Sequence, residues 1–409
     1  MEEEFDVIVV GAGPAGSTCA TFLAKKGTKV LLLDKAIFPR DKVCGDAISG
    51  KSMAAIRELG LEKTIESRPH GIVTGVTLSS PNGAIVKIPI PKVYGKKGQG
   101  YCVRRELFDN MLFETATKEK NVTAIQGFQV TDLIRKDDFV KGIKGIDLKT
   151  KEEKEFRANI VVGADGSHSV VATKLGVNKV DNNHYVTAIR AYYDGITGMD
   201  NTIEIHFVDE IIPGYFWIFP LEDGKANVGA GMLFSDLKKN GIKLPDTMFK
   251  LIKENKMFKE RFANAKQIGP VNGWTLPLGS KHRKSAFNGA VLLGDAASLI
   301  DPFSGEGIGN ATTSAKIASE VIAQALEELN FSQKFLAQYE NKLRTALDTE
   351  LATSHKMQRL GRHKFLLNLI IGKAAKKEKL REALSHSLVQ EIPLKKIVTP
   401  LGLLKMILM

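Results

Sequence analysis

Short apolar runs separated by a glycine-rich turn open the chain. Residues 5–10 (FDVIVV) form the first run, the turn GAGPAG follows, and an alanine-rich helical pattern extends to about Lys26, where Gly27 provides a helix stop. Residues 29–34 (KVLLLD) form a second run that ends in an acid. This order predicts a β-strand, an α-helix and a second β-strand, with the two strands buried and parallel.

Apolar positions predict further strands and helices along the rest of the chain. Between about 180 and 285 the strand-like runs are rich in aromatic residues, with one helical stretch expected near 245–262. A buried-strand pattern returns at 289–293, so the chain is expected to re-enter its first domain there. Other strands are expected near 72–79, 84–90, 121–135, 139–148 and 155–162, and helices near 105–117, 306–327 and 332–358.

The order of these elements predicts an α/β fold class, α+β overall. A Rossmann-like nucleotide-binding domain is followed by a second domain, an antiparallel sheet that binds the substrate, and by a basic helical C-terminal tail. The expected boundaries are 1–70, 100–178 and 286–350 for the first domain, 71–99 and 179–285 for the second, and 351–409 for the tail.

Charge is concentrated in that tail. The 409 residues carry a net charge of +12, but residues 356–409 hold twelve Lys and Arg against three Glu, so the first 355 residues carry only +3. Hydrophobic residues make up 43% of the chain, which excludes an intrinsically disordered protein. The basic cluster has no interleaved aromatic residues and no nucleic-acid-binding motif, so we expect no nucleic-acid partner.

The cysteine content and the acidic first residues lead us to expect a reducing, cytoplasmic compartment. Cys19, Cys44 and Cys102 form no C-x-x-C pair and have no His at ligand spacing, so neither a disulfide framework nor a metal site is expected. The first residues are acidic, unlike a secretory signal, and no apolar run approaches the roughly 18 to 20 residues of a membrane span.

The glycine-rich turn has the spacing of a dinucleotide site. Gly11, Gly13 and Gly16 form G-x-G-x-x-G between the first strand and the first helix, where they permit the tight turn, the approach of a pyrophosphate and the packing of helix on strand. Asp34 ends the second strand, at the position where a carboxylate accepts hydrogen bonds from an adenosine ribose. This motif does not distinguish FAD from NAD.

Residues 291–310 (VLLGDAASLIDPFSGEGIGN) favour FAD. Asp295 ends a strand, where it could hold ribityl hydroxyls, and Gly307 stands at the start of a long helix whose amides could face the flavin. This stretch resembles the second flavin motif of the p-hydroxybenzoate hydroxylase class, and GADGSHSVV at 163–171 resembles its middle motif. In the hydroxylases an arginine usually follows, where this chain has Ala172, and the difference argues against a monooxygenase.

Two more stretches resemble the geranylgeranyl reductase family, whose members saturate isoprenoid double bonds with reduced FAD. They are FPRDKVCGDAISG at 38–50 and YFWIFPLEDGKANVGAG at 215–231. The resemblance extends to about residue 350. The family's Cys-Gly-Gly appears here as Cys44-Gly45-Asp46, so its flavin-facing third residue differs, and the sequence indicates no role for Asp46.

The resemblance implies two sets of site residues. Strand alternation places Tyr215, Trp217 and Phe219 on one face as an aromatic wall, and glycines on the next strand would leave room for a ligand against it; an ordinary aromatic core is the alternative. Implied prenyl-chain contacts are Tyr215, Trp217, Phe219, Gly229 and Gly231. Implied FAD contacts are Gly11, Gly13, Ala15, Gly16, Asp34, Arg40, Cys44, Gly45, Ala47, Arg105, Val130, Asp295, Gly307 and Ile308.

Saturation of an unactivated alkene requires a hydride and a proton in a dry pocket. Cys44 is a candidate to donate the proton or tune the flavin, with a packing role as the alternative, and Tyr215 is the nearest phenol candidate. The external reductant is expected to be NAD(P)H or reduced ferredoxin. No second G-x-G-x-x-G with its own strand and helix is visible, so a dedicated nicotinamide domain is not expected.

The tail combines basic clusters with apolar runs, at 365–372 (FLLNLIIG) and 401–409 (LGLLKMILM). This combination suits peripheral contact with the inner face of an anionic membrane, where a prenylated lipid or quinone substrate would lie. The equally weighted alternative is a solvated helix whose apolar side covers the flavin domain.

The leading hypothesis is an FAD-dependent reductase that saturates a prenyl chain on a lipid, quinone or related isoprenoid. A monooxygenase or halogenase of the same fold, which would need oxygen, is one alternative, and Tyr-x-Trp-x-Phe-Pro is loosely similar to the halogenases' Trp-x-Trp-x-Ile-Pro. A flavin electron carrier or quinone oxidoreductase is another.

Overall fold

The computed structural model describes residues 4–48, 50–91 and 99–388. Three β-sheets and a set of helices make up this part of the chain. The strands are β1 Glu4–Val10, β2 Val30–Asp34, β3 Ala47–Ile48, β4 Gly71–Val73, β5 Gly75–Ser79, β6 Ile85–Pro89, β7 Gly100–Cys102, β8 Val122–Gln126, β9 Phe128–Lys136, β10 Phe139–Asp147, β11 Glu153–Gly163, β12 Tyr185–Asp194, β13 Thr202–His206, β14 Tyr215–Pro220, β15 Ala226–Leu233, β16 Lys266–Pro277, β17 Ala286–Phe287 and β18 Ala290–Leu292.

The α-helices lie between and after these strands. They are α1 Pro14–Lys25, α2 Lys51–Glu58, α3 Glu62–Glu66, α4 Arg105–Thr117, α5 Val170–Lys174, α6 Phe234–Asn240, α7 Leu244–Glu254, α8 Ile308–Glu327, α9 Gln333–Leu360, α10 Lys364–Lys376 and α11 Glu378–Leu388. Short 3-10 helices cover Glu222–Gly224 and Gly294–Ala297.

The first sheet has the order β17-β18-β11-β1-β2-β8, with β10 and β9 continuing from β11. Its centre is parallel: β1 pairs with β2 in the register Val7 to Val30 and with β11 in the register Val7 to Ile160. The predicted parallel pairing of the first two strands is confirmed. β1 and β2 lie in one buried cluster with residues of α1, α8, β9 and β10, and the successive buried positions along both strands explain their unbroken apolar runs.

The second sheet has the order β16-β12-β15-β14-β13-β5-β6. All of its neighbours are antiparallel except β13 and β5, which pair in parallel in the register Glu204 to Thr77. One face packs on α7, where Phe216 and Ile218 join a buried cluster with Met248. The other face carries Tyr215, Trp217 and Phe219 and looks toward the first sheet.

Two expected elements differ from the structure. The helix expected over 245–262 ends at Glu254, because Asn255 adopts an extended conformation and its side chain accepts a hydrogen bond from the Met257 amide. The strand expected over 121–135 is two strands, since Gly127 between β8 and β9 has a φ of +69°.

The C-terminal helices cover the second sheet. Ile371 and Ala374 of α10 and Leu380 of α11 pack on Val86 and Ile88 of β6. The alternative in which the apolar side of the tail covers the flavin domain does not describe the main contact of α10 and α11, because their buried apolar residues pack on β6 of the second sheet. No helix within the described ranges is long and apolar enough to cross a bilayer. The apolar run at 401–409 lies outside the described residues.

Candidate active site

One cavity of about 1490 Å³ lies between the two large sheets. It extends from the turn between β1 and α1 to the region where β6 meets α11. A pocket for one drug-sized ligand typically measures about 300–1,000 Å³. This cavity is therefore large enough for a cofactor and a second molecule.

The glycine turn forms the polar end of the cavity. Gly11 has a φ of +95°, and a Cβ there would lie 2.4 Å from the carbonyl oxygen of Ala164. Gly16 packs α1 against the turn, because a Cβ there would lie 1.7 Å from the Gly11 carbonyl oxygen, and it does not line the cavity. Gly13 caps the start of α1, whose first amides have no partner within the helix and suit an anionic group.

Asp34 is held in place by two backbone amides. Its carboxylate accepts hydrogen bonds from the N–H of Ala12 and of Ala36, both at 2.8 Å. Each carboxylate oxygen has further acceptor capacity. The side chain lines the cavity, so it can also accept hydrogen bonds from the hydroxyls of a ribose.

A buried ion cluster supports the two arginines of the predicted site. Arg105 Nε and Nη2 donate to the two carboxylate oxygens of Asp109 at 2.6 and 2.8 Å, and Arg40 Nη1 donates to the same carboxylate at 2.7 Å. Burial alone would raise the pKa of Asp109, but the two guanidinium groups lower it below its ordinary value. Two cations share one carboxylate, which leaves net positive charge beside the cavity.

Lys42 is a site residue that the sequence analysis missed. Its Nζ is buried without a hydrogen-bond partner among the described residues and lies 3.5 Å from the centroid of the Trp274 ring. Burial lowers the pKa of Lys42 to about 7, although Asp295 opposes this change. Lys42 lies within the stretch 38–50 that carries the family resemblance, but nothing in that stretch singled out this lysine, and only the fold brings it to the cavity wall.

This unpartnered cation fits the cofactor that the sequence predicts. A buried amine without an acceptor is costly, and an anionic pyrophosphate would supply that acceptor. Asp295 also lines the cavity, where burial raises the pKa of its carboxyl group while Lys42 and Arg105 lower it. The residues present therefore fit a dinucleotide that carries both phosphates and hydroxyls.

The other predicted cofactor residues line the same cavity. Gly307 caps the start of α8, and Ile308 is the first residue of that helix. Asp165 of the middle motif also lines it, and its carboxylate accepts hydrogen bonds from the Ser169 hydroxyl and the Val170 amide at 2.5 and 2.6 Å. The remaining predicted residues along the wall are Ala15, Cys44, Gly45, Ala47 and Val130.

Three aromatic side chains of β14 form one wall of the apolar part. The ring centroids of Tyr215 and Trp217 are 6.1 Å apart, and those of Trp217 and Phe219 are 6.2 Å apart. Gly231 lines the cavity beside them. Gly229 does not, because a Cβ there would lie 2.2 Å from the Trp217 ring. The expectation that Gly229 leaves room for a ligand is therefore wrong: the indole of Trp217 occupies that room.

Both candidate proton donors border the cavity. The Cys44 thiol lies near the Arg105 guanidinium, and burial raises the pKa of this thiol although Arg105 opposes the change. The Tyr215 hydroxyl donates to the Ser304 carbonyl oxygen at 2.8 Å, and burial raises the pKa of its phenol. Both groups therefore carry their protons at neutral pH.

Most of the apolar lining was missed by the sequence analysis. It comes from strands and helices that are distant in sequence, and apolar residues in these elements are indistinguishable from core residues by pattern alone. The lining residues are Val76, Leu78, Ile88, Ile90, Ile203, Ile205, Phe207, Leu276, Phe303, Met357 and Leu384. Within the described residues no group of three or more His, Cys, Asp or Glu side chains could hold a metal ion.

Comparison with known proteins identifies two family domains in the chain. Residues 4–204 match the FAD binding domain, and residues 185–271 match the geranylgeranyl reductase catalytic domain. The digeranylgeranylglycerophospholipid reductase of Methanosarcina acetivorans is 34% identical over 352 residues, which cover 84% of this chain and 81% of that protein. The menaquinone reductase of Mycobacterium tuberculosis is 29% identical over 328 residues, which cover 79% and 77%.

Solved structures share the fold. A geranylgeranyl bacteriochlorophyll reductase-like protein from Thermoplasma acidophilum has a TM-score of 0.79 at 23% identity, covering 100% of this chain and 96% of that one. A myxobacterial chondrochloren halogenase has a TM-score of 0.77 at 21% identity, covering 99% and 96%. Similarity at this level of identity shows the fold alone. The sequence matches are the more specific, and on them the chain belongs to the geranylgeranyl reductase family of FAD-dependent oxidoreductases.

Proposed function

We propose that this protein saturates carbon–carbon double bonds in the prenyl chain of a glycerophospholipid or a quinone. The observation that carries this proposal is that the polar and the apolar part form one continuous cavity. Cys44 and Gly45 line it next to the aromatic wall of β14, since a Cβ on Gly45 would lie 2.7 Å from the Phe219 ring. An isoprenoid chain is a long hydrocarbon that such a wall can accept. The named substrates of the relatives support the same chemical class.

The polar end would hold FAD. Asp34 would accept the ribose hydroxyls, Lys42 and the start of α1 would neutralise the pyrophosphate, and Asp295 and the start of α8 would hold the ribityl and flavin parts. When bound, FAD supplies the hydride that adds to one alkene carbon. The protein must hold the alkene beside the flavin, exclude water and supply a proton to the neighbouring carbon.

Cys44 Sγ and Tyr215 Oη are the candidate proton sources. Each keeps its proton at neutral pH because burial raises its pKa. The Arg105 guanidinium would stabilise a thiolate left at Cys44 after the proton is transferred, whereas among the described residues no cation acts on the Tyr215 hydroxyl. Cys44 is therefore the stronger candidate, and the aromatic wall keeps the transfer away from solvent.

A substitution separates these two candidates. Cys44→Ala should keep the FAD absorbance spectrum and reduce the rate of double-bond saturation, because it removes the proton and leaves the backbone of the turn in place. Tyr215→Phe is the matched control, since it removes only a hydroxyl that donates to a backbone carbonyl. An unchanged rate in Cys44→Ala would exclude Cys44 as the proton donor.

We also propose that electrons come from NAD(P)H or reduced ferredoxin acting from outside. A single glycine-rich nucleotide motif, at Gly11, Gly13 and Gly16, supports this proposal. Anaerobic titration of the oxidised protein with each reductant, followed at the flavin absorbance, would distinguish them.

Peripheral membrane contact on the inner face is proposed from α10. Phe365 is 73% exposed at the start of this helix, and Lys364 and Lys376 lie near its ends. An exposed aromatic ring with flanking lysines suits an anionic lipid surface. Phe365→Ser should weaken binding to vesicles that contain anionic lipid. Deletion after residue 360 is a poor test, because it would uncover the apolar residues of β6.

We propose the following division of the chain. Residues 1–70, 100–178 and 286–350 form the FAD-binding domain, 71–99 and 179–285 the substrate domain, and 351–409 the C-terminal region. The membership of the strands in the two sheets supports this division: β1, β2 and β11 belong to the first sheet, and β5, β6 and β12 to β16 belong to the second. The helix α9 is continuous across residue 350.

The mass of lipids and quinones that co-purify with the protein tests the proposed function. Isoprenoid compounds should be enriched, with mass differences of about two units for each saturated bond. Extracts in which the only reduction lies in a quinone ring would favour an electron carrier instead.

A further inference from the structure

Asp46 is the residue that departs from the family's Cys-Gly-Gly. Its φ of +66° lies in the left-handed region, which glycine adopts without strain and which a residue with a Cβ adopts only when its surroundings hold it there. Asp46 does not line the cavity, although Gly45 and Ala47 on either side of it do. The side chain turns instead toward the second sheet, where its hydrogen-bond partners Tyr192 and Asn227 lie.

The Asp46 carboxylate holds the side chain of Asn227. Asp46 Oδ2 accepts hydrogen bonds from Asn227 Nδ2 at 2.7 Å and from the Tyr192 hydroxyl at 3.0 Å. Asn227 Nδ2 also donates to the Cys44 carbonyl oxygen at 2.7 Å, and its Oδ1 accepts from Trp217 Nε1 at 2.9 Å. One amide therefore joins the Cys44 turn to the indole that forms the middle of the aromatic wall.

These contacts fix the orientation of the Asn227 amide. An amide nitrogen only donates and an amide oxygen only accepts, so two acceptors on one side and the indole N–H on the other allow a single orientation. Without Asp46, the backbone carbonyl of Cys44 alone would hold the nitrogen. The Asn227 side chain is completely buried, so no solvent can replace a lost partner.

Titratable groups, two of them cationic arginines, face Asp46 from each element packed against it. Arg190 and Tyr192 belong to β12, Arg105 to α4, Cys102 to β7 and Cys44 to the turn itself. The Tyr192 ring lies against Arg190, whose guanidinium carbon is 4.1 Å from the ring centroid. Asp46 Oδ1 has no hydrogen-bond partner among the described residues, so a proton can be added there without breaking the bonds to Oδ2.

We propose that Asp46 is a positioning residue: through Asn227 it sets the Trp217 indole against the Cys44 turn, and so aligns the prenyl chain with the flavin. This inference rests on the proposed function, because it assigns Trp217 to the substrate wall. It acts through hydrogen bonds alone and involves no covalent or redox step. The alignment of the prenyl chain in this protein would then depend on the Asp46 carboxylate, which a glycine at this position, as in the family's Cys-Gly-Gly, does not have.

The indole of Trp217 provides a direct measurement. The chain has two tryptophans, so the FAD-loaded protein labelled with ¹⁵N-tryptophan should give two indole N–H signals, and the spectrum of Trp274→Phe assigns them. Asp46→Gly should shift the Trp217 signal, and the backbone suits this change because φ is positive. Asp46→Asn keeps an acceptor for Asn227 and should leave the signal near its wild-type position.

Kinetics of prenyl reduction give the second measurement. Asp46→Gly should lower kcat/KM about tenfold with FAD content unchanged, the size expected for one lost hydrogen bond to a charged group. Asp46→Asn should recover kcat/KM to within about threefold. Asp236→Asn is the matched control, since Asp236 is a buried carboxylate paired with Arg362 and does not line the cavity. It should move neither the Trp217 signal nor kcat/KM.

The two measurements separate the possible failures. An unmoved Trp217 signal in Asp46→Gly, or an unchanged kcat/KM despite a moved signal, would overturn the positioning role. If the signal moves as expected but the wild-type protein saturates no prenyl chain, the hydrogen-bond link stands and the proposed function fails.

Discussion

The two ends of the cavity are built in different ways. The polar end is assembled from backbone turns and from side chains held by several partners, as Asp109 is held between Arg40 and Arg105. The apolar end is a surface of side chains from separate strands and helices, among them Ile88 and Phe207, which contact a ligand through area alone. Substitutions at the polar end should therefore change the stability of the fold and the affinity for FAD. Substitutions at the apolar end should change kcat/KM for the substrate.

The largest effect is expected from Asp109→Asn. This carboxylate is completely buried, and its loss leaves the two guanidinium groups without their common anion. Removal of one partner from such a pair costs about 3–5 kcal/mol of stability. Unfolding by urea should show this loss. Asp200→Asn, at an exposed carboxylate paired with Lys87, is the control and should cost no more than about 1 kcal/mol.

Asp46→Asn tests the buried carboxyl group that lies between the Cys44 turn and the aromatic wall, through the pH dependence of stability. The pKa of Asp46 is raised from 3.8 to about 6 because the carboxyl group is buried. The folded state therefore binds this proton more tightly than the unfolded chain does, and that stabilisation is complete below about pH 3.8 and lost as the pH rises through about 6. The free energy of unfolding of wild type relative to Asp46→Asn should fall by about 3 kcal/mol across this window. A difference that does not change with pH would contradict the assignment.

Gly231→Val should affect the apolar end alone. Gly231 lines the cavity, and a Cβ there would meet Ala188 and Val186 at 3.5 Å, an ordinary contact distance, so the protein should fold. The added methyl groups take space from the prenyl chain, and we expect kcat/KM to fall about tenfold or more. FAD affinity should remain unchanged, and a loss of FAD would show that the two ends are not separate.

The smallest effect is expected from Lys42→Met. The pKa of Lys42 is lowered to about 7, and an anionic ligand favours the protonated form. FAD affinity of the wild type should therefore fall as the pH rises above about 7, by up to about tenfold per unit. In Lys42→Met the affinity should be lower at pH 6 and independent of pH to about 8. Lys87→Met, at an exposed lysine, should behave as the wild type does.

The same contrast explains what could be predicted from the sequence. Glycine spacing reports backbone geometry, so the turn at Gly11 and the parallel pairing of β1 with β2 followed from local pattern. Strand alternation likewise placed Tyr215, Trp217 and Phe219 on one face.

Contacts between distant segments could not be predicted. Whether Gly229 faces a ligand or an indole depends on the Trp217 rotamer. The hydrogen-bond partners of Asp46 lie on strands more than 140 residues away in sequence. The ring that contacts Lys42 belongs to Trp274 of β16. Pattern within one segment contains no information about such contacts.

The most direct test of the central claim is anaerobic turnover. The FAD-loaded protein, reduced with dithionite in the absence of oxygen, is incubated with a phospholipid that carries geranylgeranyl chains, and the product is analysed by tandem mass spectrometry. The account predicts a gain of about two mass units per reduced bond, located in the prenyl chain. The Gly231→Val variant should form less of this reduced product. A product that forms only when oxygen is admitted, or a reduction confined to a quinone ring when a prenylated quinone is used, would contradict it.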